Sequence, residues 1–175
     1  PVRISNLNTA GDSDPSHFAR LNGFIYFSAT NGTSGQELWK TDGVNPASLV
    51  MDIYPGSSDA YIEYTVAFNN KIYFAADNGN TGVQLWEYDG TNPPVQSTTL
   101  CPSGDSYPEH MAVFNSKLLF SADGCNGAGR EFWSYDGTTA PIMTADINKE
   151  GNNSYPTHLV SFNNKLYFSS RSNNA

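Results

Sequence analysis

Residues 36–43 read Gln-Glu-Leu-Trp-Lys-Thr-Asp-Gly, and the phrase returns at 83–90 (Val-Gln-Leu-Trp-Glu-Tyr-Asp-Gly) and 130–137 (Arg-Glu-Phe-Trp-Ser-Tyr-Asp-Gly). Its tryptophans lie 47 residues apart, at Trp39, Trp86 and Trp133. A second motif recurs at intervals of 47, 46 and 48 residues, at Phe24–Phe27, Lys71–Phe74, Lys117–Phe120 and Lys165–Phe168. A constant period of this length indicates one supersecondary unit used repeatedly, each copy needing its neighbours to bury its apolar faces.

Each copy contains four short segments separated by turn residues. In the third copy the segments are residues 108–114, 117–122, 130–135 and 141–146. Asn-Gly, Asn-Asn and Asp-Gly pairs tolerate the positive φ of tight hairpin turns. Such pairs recur at Asn22-Gly23, Asn69-Asn70, Asn163-Asn164, Asp42-Gly43 and Asp89-Gly90. One repeat is therefore predicted to be a four-stranded antiparallel sheet.

The second strand of a repeat is apolar on both faces: Ile72 and Phe74 share one face and Tyr73 takes the other. A sheet exposed on one side would alternate apolar with polar residues, so both faces are covered. Because no segment has a helical period, the cover must be another copy of the sheet. The chain is thus predicted to be all-β, a β-propeller built from four-stranded antiparallel blades of about 47 residues.

The ends of the chain do not coincide with repeat boundaries. We expect a single repeat domain, 1–175, with repeats at about 6–53, 54–100, 101–147 and 148–175, and with residues 1–5 equivalent to a fourth strand. The last copy stops after its second strand, which gives 15 strands. Three interpretations remain open: a four-bladed ring closed by the two termini, part of a larger propeller, or a chain that dimerises to complete a bigger ring.

The composition supports a folded core and excludes some partners. Hydrophobic residues make up 38% of the chain and the net charge is −8, without a cluster of Lys or Arg. Nucleic acid and anionic membrane surfaces are poor partners for such a chain. No apolar run is long enough for insertion in a membrane. The start at Pro1 indicates a processed mature chain or a fragment.

Two cysteines suit an oxidising compartment, which favours an extracellular or cell-surface location. Cys101 precedes the third repeat's first strand, and Cys125 lies between that repeat's second and third strands. In a propeller both loops open on one face, so we predict a Cys101–Cys125 disulfide. Asn31 and Asn152 begin glycosylation acceptor sequences, which matter only if a eukaryote secretes the chain.

The repeat phrases resemble the ELWxxDGT repeat family of secreted bacterial proteins. The resemblance rests on residues 36–43, on Phe24–Ala29 and on Asp52–Ser58, and it extends over the whole chain. It implies a large extracellular propeller-like or adhesin-like protein without an agreed catalytic residue. The chain departs from the family at Val44, where Thr is usual. It also departs at four positions where the family tends to have an aliphatic residue: His17, Tyr64, His110 and His158.

Those four residues are equivalent by repeat and begin the first strands, which line the central channel of a propeller. Converging on one axis, three imidazoles and a phenol would form a candidate metal site for zinc, copper or nickel. The favoured alternative is that each ring hydrogen-bonds the backbone of a neighbouring blade.

The loops that enter the first strands, and those between second and third strands, are rich in Asp, Asn and Gly. Their oxygen atoms would suit calcium as a cofactor, although turn chemistry alone explains them. The same loops carry tyrosines, and amphipathic rings beside fixed hydrogen-bonding groups suit a sugar or protein ligand. The predicted ligand-binding residues are Asp14, Tyr61, Asp105, Tyr107, Asn126 and Tyr155.

No catalytic motif is present, and the carboxylates recur with the repeat, whereas an active site should break the periodicity. The aperiodic charged residues form no recognisable pair: Arg20, Arg130, Lys149 and Glu150. The prediction is therefore a non-enzymatic extracellular binding or adhesion module for a glycan or glycoprotein. The alternatives are a structural repeat of a surface or filament assembly, through homo-oligomers or the remainder of a longer chain, and a fragment of a propeller enzyme.

Overall fold

A computed structural model describes residues 3–173, in which all regular structure is β. Sheet 1 contains β1 (Ser16–Leu21), β2 (Phe24–Thr30), β3 (Gln36–Thr41) and β4 (Ser48–Met51). Sheet 2 contains β5 (Glu63–Phe68), β6 (Lys71–Ala76), β7 (Gln84–Tyr88) and β8 (Val95–Thr98). Sheet 3 contains β9 (Glu109–Phe114), β10 (Lys117–Asp123), β11 (Arg130–Tyr135) and β12 (Ile142–Ala145), and sheet 4 contains β13 (Thr157–Phe162) and β14 (Lys165–Ser169). Within the described range no helix is long and apolar enough to cross a membrane.

Every sheet is an antiparallel meander in which sequential strands are neighbours. The strand pairing places the repeated phrases opposite each other, so that Phe74 faces Trp86 and Phe120 faces Trp133. The hairpin residues Asn22, Asn69 and Asn163 have φ between 46° and 49°, the left-handed conformation for which Asn is suited. The four-stranded antiparallel repeat predicted from the sequence is confirmed for sheets 1 to 3.

The sheets pack face to face in chain order, as in a propeller. Trp86 is buried in a cluster with Tyr26 and Leu38 of sheet 1, and Trp133 in one with Tyr73 and Leu85 of sheet 2. The prediction that another copy of the sheet covers each apolar face is confirmed for these two interfaces. Trp39 is also buried, but its cover differs, because it lies on the outer face of sheet 1 under Leu7 of the N-terminal segment.

The series of sheets is open, and the four-bladed closed ring is not seen. Sheet 4 has two strands, and residues 3–5 are not in a strand, while residues 1 and 2 of that predicted fourth-strand segment lie outside the described part. The N-terminal segment nevertheless packs where a preceding sheet would lie: Leu7 covers the Phe27–Trp39 cluster, and Ser5 Oγ accepts a hydrogen bond from the Ala47 N–H at 2.5 Å.

The first strands β1, β5, β9 and β13 are neighbours in space and form the inner edge of the arc. Each pairs with its second strand through a shift in register, a β-bulge that recurs in all four repeats. The bulge positions have φ between 51° and 55°: His17, Tyr64, His110 and His158. Because the conformation recurs in every repeat, we assign it to the fold rather than to one site.

Candidate functional site

The loops that enter β5, β9 and β13 meet the loops between second and third strands on one side of the arc, which we call the loop face. Backbone hydrogen bonds connect the two sets of loops. In the middle of the arc, the Ser106 N–H donates to the Val83 carbonyl and the Asp123 N–H to the Ser106 carbonyl, both at 2.9 Å. Equivalent bonds occur at Ala60 and Ser154. The loop face is consequently a fixed surface whose parts belong to adjacent sheets.

Side chains reinforce these connections at positions that recur with the repeat. Asp105 Oδ1 accepts the Val83 N–H at 2.7 Å, and the equivalent Asp59 and Asn153 accept from Gln36 and Arg130 at 2.7 and 2.6 Å. Each bond ties the start of a third strand to the loop that enters the next sheet. The predicted site residue Asp105 therefore has a structural role for one oxygen, which orients the other.

A second set of hydrogen bonds lies below the loop face and involves the fully buried side chains of Glu37 and Gln84. Glu37 Oε2 accepts the Ile53 N–H at 2.8 Å, and its Oε1 accepts the Tyr54 N–H at 3.3 Å. Gln84 fills the equivalent place in sheet 2 and accepts the Leu100 N–H at 3.1 Å. Burial, partly offset by the two backbone hydrogen bonds, raises the pKa of Glu37 to about 8. The position accepts an amide, as Gln84 shows, and a carboxyl in sheet 3, where Glu131 Oε2 accepts the Ile147 N–H at 2.7 Å.

One pocket on the loop face combines three of the six predicted ligand-binding residues. It lies between sheets 2 and 3 and has a volume of about 370 Å³. The lining residues are Tyr61, Glu63, Asp77, Val83, Asp105 and Tyr107. Both tyrosines are exposed, and the Tyr107 hydroxyl donates to Asp105 Oδ2 at 2.9 Å. This hydrogen bond to the carboxylate, with burial second, raises the pKa of Tyr107, so the phenol stays neutral and held in place.

The other predicted residues lie elsewhere on the loop face. Asp14 and Asn126 are exposed and do not line the pocket, and Asn126 Oδ1 accepts the Ala128 N–H at 3.0 Å within its own turn. Tyr155 is one repeat further on, between sheets 3 and 4, where its hydroxyl accepts a hydrogen bond from Asn153 Nδ2 at 2.9 Å. The structure therefore divides the predicted surface into separate sites.

Arg130 is a residue of this face that the sequence did not assign. Its ion-pair partner is Glu109, a residue outside the four aperiodic charged residues: Arg130 Nη1 lies 2.8 Å from Glu109 Oε2 and donates to the Tyr107 carbonyl at 2.9 Å. Its guanidinium carbon lies 5.5 Å from the ring centre of Tyr107 and 5.9 Å from that of Tyr155. The repeat alignment contained a signal for this role, because the position that is Gln36 in the first repeat and Val83 in the second is the charged residue Arg130 in the third.

The predicted metal-site residues form a row along the inner edge instead of converging. Neighbouring ring centres are 5.8, 5.0 and 6.2 Å apart in the order His17, Tyr64, His110 and His158. His17 Nδ1 accepts the Tyr64 N–H at 3.2 Å, which is the backbone hydrogen bond to a neighbouring blade favoured above. Burial lowers the pKa of His110. Across residues 3–173 no group of three His, Cys, Asp or Glu side chains is placed to hold a metal ion.

The loop oxygens considered for calcium act in turns. Asp77 Oδ1 accepts the Gly79 N–H at 2.8 Å, and Asp123 Oδ1 accepts the Cys125 N–H at 2.7 Å. The second of these turns also carries the predicted Cys101–Cys125 disulfide, which is confirmed, with the two Cα atoms 5.0 Å apart. It covalently joins the loop before β9 to the loop before β11.

Comparison with known proteins shows the fold and no family. No family model matches the chain, and no curated protein matches it. A solved structure of the computationally designed Ika4 protein is 15% identical over 98% of this chain and 93% of that chain, with a TM-score of 0.56. A structure from a study of two prolyl endopeptidases is 13% identical over 85% of this chain, with a TM-score of 0.51, and only 21% of that chain is covered. At these identities the likeness concerns the arrangement of sheets alone.

Proposed function

We propose that the protein is a non-enzymatic extracellular binding module that holds a glycan or glycoprotein on its loop face. The observation that carries the proposal is the pocket between sheets 2 and 3, where Tyr61 and Tyr107 stand beside carboxylates oriented by hydrogen bonds. Exposed rings with a fixed polar partner offer both stacking surface and directional bonds to a saccharide or a side chain. The disulfide and the ELWxxDGT resemblance support an extracellular location.

The test is ligand binding by a variant that removes both rings. We expect Tyr61→Ala with Tyr107→Ala to abolish binding on a glycan array and to intact cells, because no other pair of rings flanks this pocket among its lining residues. The unfolding midpoint should stay within a few degrees of the parent, since both side chains are exposed. Val44→Ala, at a residue that is 84% exposed and does not line the pocket, is the control and should bind normally. Unchanged binding by the double variant would refute the proposal.

A second candidate, self-assembly, is favoured by the open ends of the arc. Val160, Phe162 and Tyr167 on the outer face of sheet 4 are 58%, 64% and 50% exposed. Phe68 and Tyr73, equivalent to the last two, are 6% and 0% exposed because sheet 3 covers them. The outer face of sheet 4 is thus the uncovered half of an interface that already recurs inside the chain, and we propose that a second copy of the chain packs against it.

The oligomeric state of the purified chain tests this candidate. Light scattering across a concentration series should show dimers or larger species, and Phe162→Asp should return the chain to a monomer by placing a charge in the interface. A parent chain that stays monomeric throughout would refute assembly from copies of this chain.

A further inference from the structure

The site between sheets 2 and 3 and the site between sheets 3 and 4 are related by the repeat, and at their centre Val83 of the first corresponds to Arg130 of the second. The second site also has Arg171, whose guanidinium carbon lies 5.2 Å from the Tyr155 ring centre. In this second site, Arg130 extends between the rings of Tyr107 and Tyr155 and forms an ion pair with Glu109. Its side chain is 12% exposed, so the guanidinium fills the space between the two tyrosines. This site is occupied by the chain itself.

The site between sheets 2 and 3 keeps both rings and the glutamate but lacks the cation, and it has Asp105 where the other site has Asn153. Repeat alignment equates Tyr61 with Tyr107 and Tyr107 with Tyr155, so the two rings are retained. Glu63 stands in the place of Glu109, and Val83 stands in the place of Arg130. Val83 is too short to reach between the rings, and the result is the open pocket of about 370 Å³.

The electrostatics of the open pocket favour a positive ligand. Three carboxylates, those of Glu63, Asp77 and Asp105, are among its lining residues, and none of the six described lining residues is basic. The pocket has one more carboxylate than the site between sheets 3 and 4, because Asn153 of that site replaces Asp105. Tyrosine faces add a further attraction for a cation placed over them.

We infer that the pocket between sheets 2 and 3 binds the guanidinium of an arginine side chain presented by a partner protein, in the position that Arg130 occupies one repeat later. This inference rests on the proposed function and assigns the chemistry of the ligand. Arginine suits the site better than lysine because its planar fork pairs with a carboxylate while stacking between rings. A second bond is available to the fork, since Arg130 Nη1 donates to the Tyr107 carbonyl and Tyr61 supplies the equivalent carbonyl.

The test uses the intact disulfide-bonded chain and a capped Gly-Arg-Gly peptide, with NMR titration of the backbone amides. We expect the shifts to concentrate at Tyr61, Val83 and Tyr107. Replacing the arginine of the peptide by citrulline, which keeps the shape and removes the charge, should weaken binding by about tenfold or more. Binding should also weaken as salt is raised, because the carboxylates of the pocket are partly solvated.

Two variants at one position separate charge from a general effect of substitution. Val83→Arg should supply the cation internally, as Arg130 does, and weaken peptide binding by about tenfold or more. Val83→Thr conserves the volume without a charge and should bind like the parent. Equal binding by Val83→Arg and Val83→Thr would overturn the inference, and so would equal affinity for the arginine and citrulline peptides.

The outcomes also distinguish the inference from the proposed function. If the Tyr61→Ala, Tyr107→Ala variant loses glycan binding while the arginine peptide never binds the parent, the inference fails and the proposed function stands. If the peptide binds and glycan arrays give no signal, the inference stands and the glycan ligand fails. Tighter binding of a chitosan oligomer than of the arginine peptide would reassign the cation to an amino sugar and overturn the arginine assignment.

Discussion

Glu37→Gln should remove a pH-dependent loss of stability. Glu37 is fully buried, and its carboxylate connects sheet 1 to the loop that enters sheet 2 by accepting hydrogen bonds from that loop. Its pKa is raised to about 8, chiefly by burial. In the unfolded chain the same carboxyl has a pKa near 4.5. A folded-state pKa above the unfolded value gives stability that is complete below about pH 4.5 and is lost as the pH rises through about 8.

The magnitude follows from the size of the shift. A difference of about 3.5 pKa units corresponds to about 5 kcal/mol of unfolding free energy between pH 4.5 and pH 9. Glutamine carries no charge in this range, so the difference between variant and parent should grow with pH in favour of the variant. An amide is accepted at the equivalent position of sheet 2, where the Nε2 of Gln84 donates to the carbonyls of Cys101 at 3.0 Å and Gly104 at 2.6 Å.

Urea unfolding at pH 5, 7 and 9, with the disulfide intact, measures the effect. The parent should lose stability relative to Glu37→Gln at each step upward, and at pH 9 the variant should be the more stable protein. Glu150→Gln, which removes an exposed carboxyl, is the control and should follow the parent. If Glu37→Gln and the parent kept a constant difference from pH 5 to pH 9, the carboxyl would be charged in the folded protein at all three values and the reasoning would be refuted.

Three further predictions concern stability. Trp86→Ala, which empties a site packed by sheets 1 and 2, should cost about 3 to 5 kcal/mol in chemical denaturation, and a loss below about 1 kcal/mol would contradict the stacking of the sheets. Replacing Cys101 and Cys125 by Ala should cost about 3 kcal/mol for a bridge that spans 24 residues, and two free thiols in the non-reduced protein would exclude the bridge. Gly35→Ala should cost about 2 kcal/mol or more in urea unfolding, because the added Cβ would lie 2.0 Å from the carbonyl oxygen of Ser58 in the neighbouring loop. Gly23→Ala should cost less, because a Cβ added there meets no atom within 4 Å.

The site was only partly predictable, for a physical reason that Arg130 illustrates. Sequence spacing identified Tyr61, Asp105 and Tyr107 as surface residues of one face, and they line one pocket. The partners of Arg130 could not be found in the same way. Tyr107 precedes β9 and Glu109 begins it, and β10 separates β9 from β11, so the approach of these residues to Arg130 depends on how the hairpins pair and bulge. A one-residue bulge changes which side chains reach the loop face.

The sequence by itself determined the local structure of this protein. The 47-residue period, the alternation within strands and the Asn-Gly, Asn-Asn and Asp-Gly turns predict the antiparallel meanders that are present, because pleat and turn preferences act over a few residues. The pairing of Cys101 with Cys125 could also be predicted from the sequence, since it depends only on which loops share a face.

Only the tertiary structure decided how the series of sheets ends and what its surfaces do. Ring closure depends on the angle accumulated between successive sheets, a property of packing that no single repeat encodes, and the described sheets form an open arc. The same packing leaves Phe162 and Tyr167 exposed while it buries their equivalents Phe68 and Tyr73. It also brings Arg130 between two rings from adjacent sheets and leaves the related pocket open at Val83. Similar repeats acquire different roles because single residues and neighbouring sheets differ, and the neighbours are fixed only when the whole chain has folded.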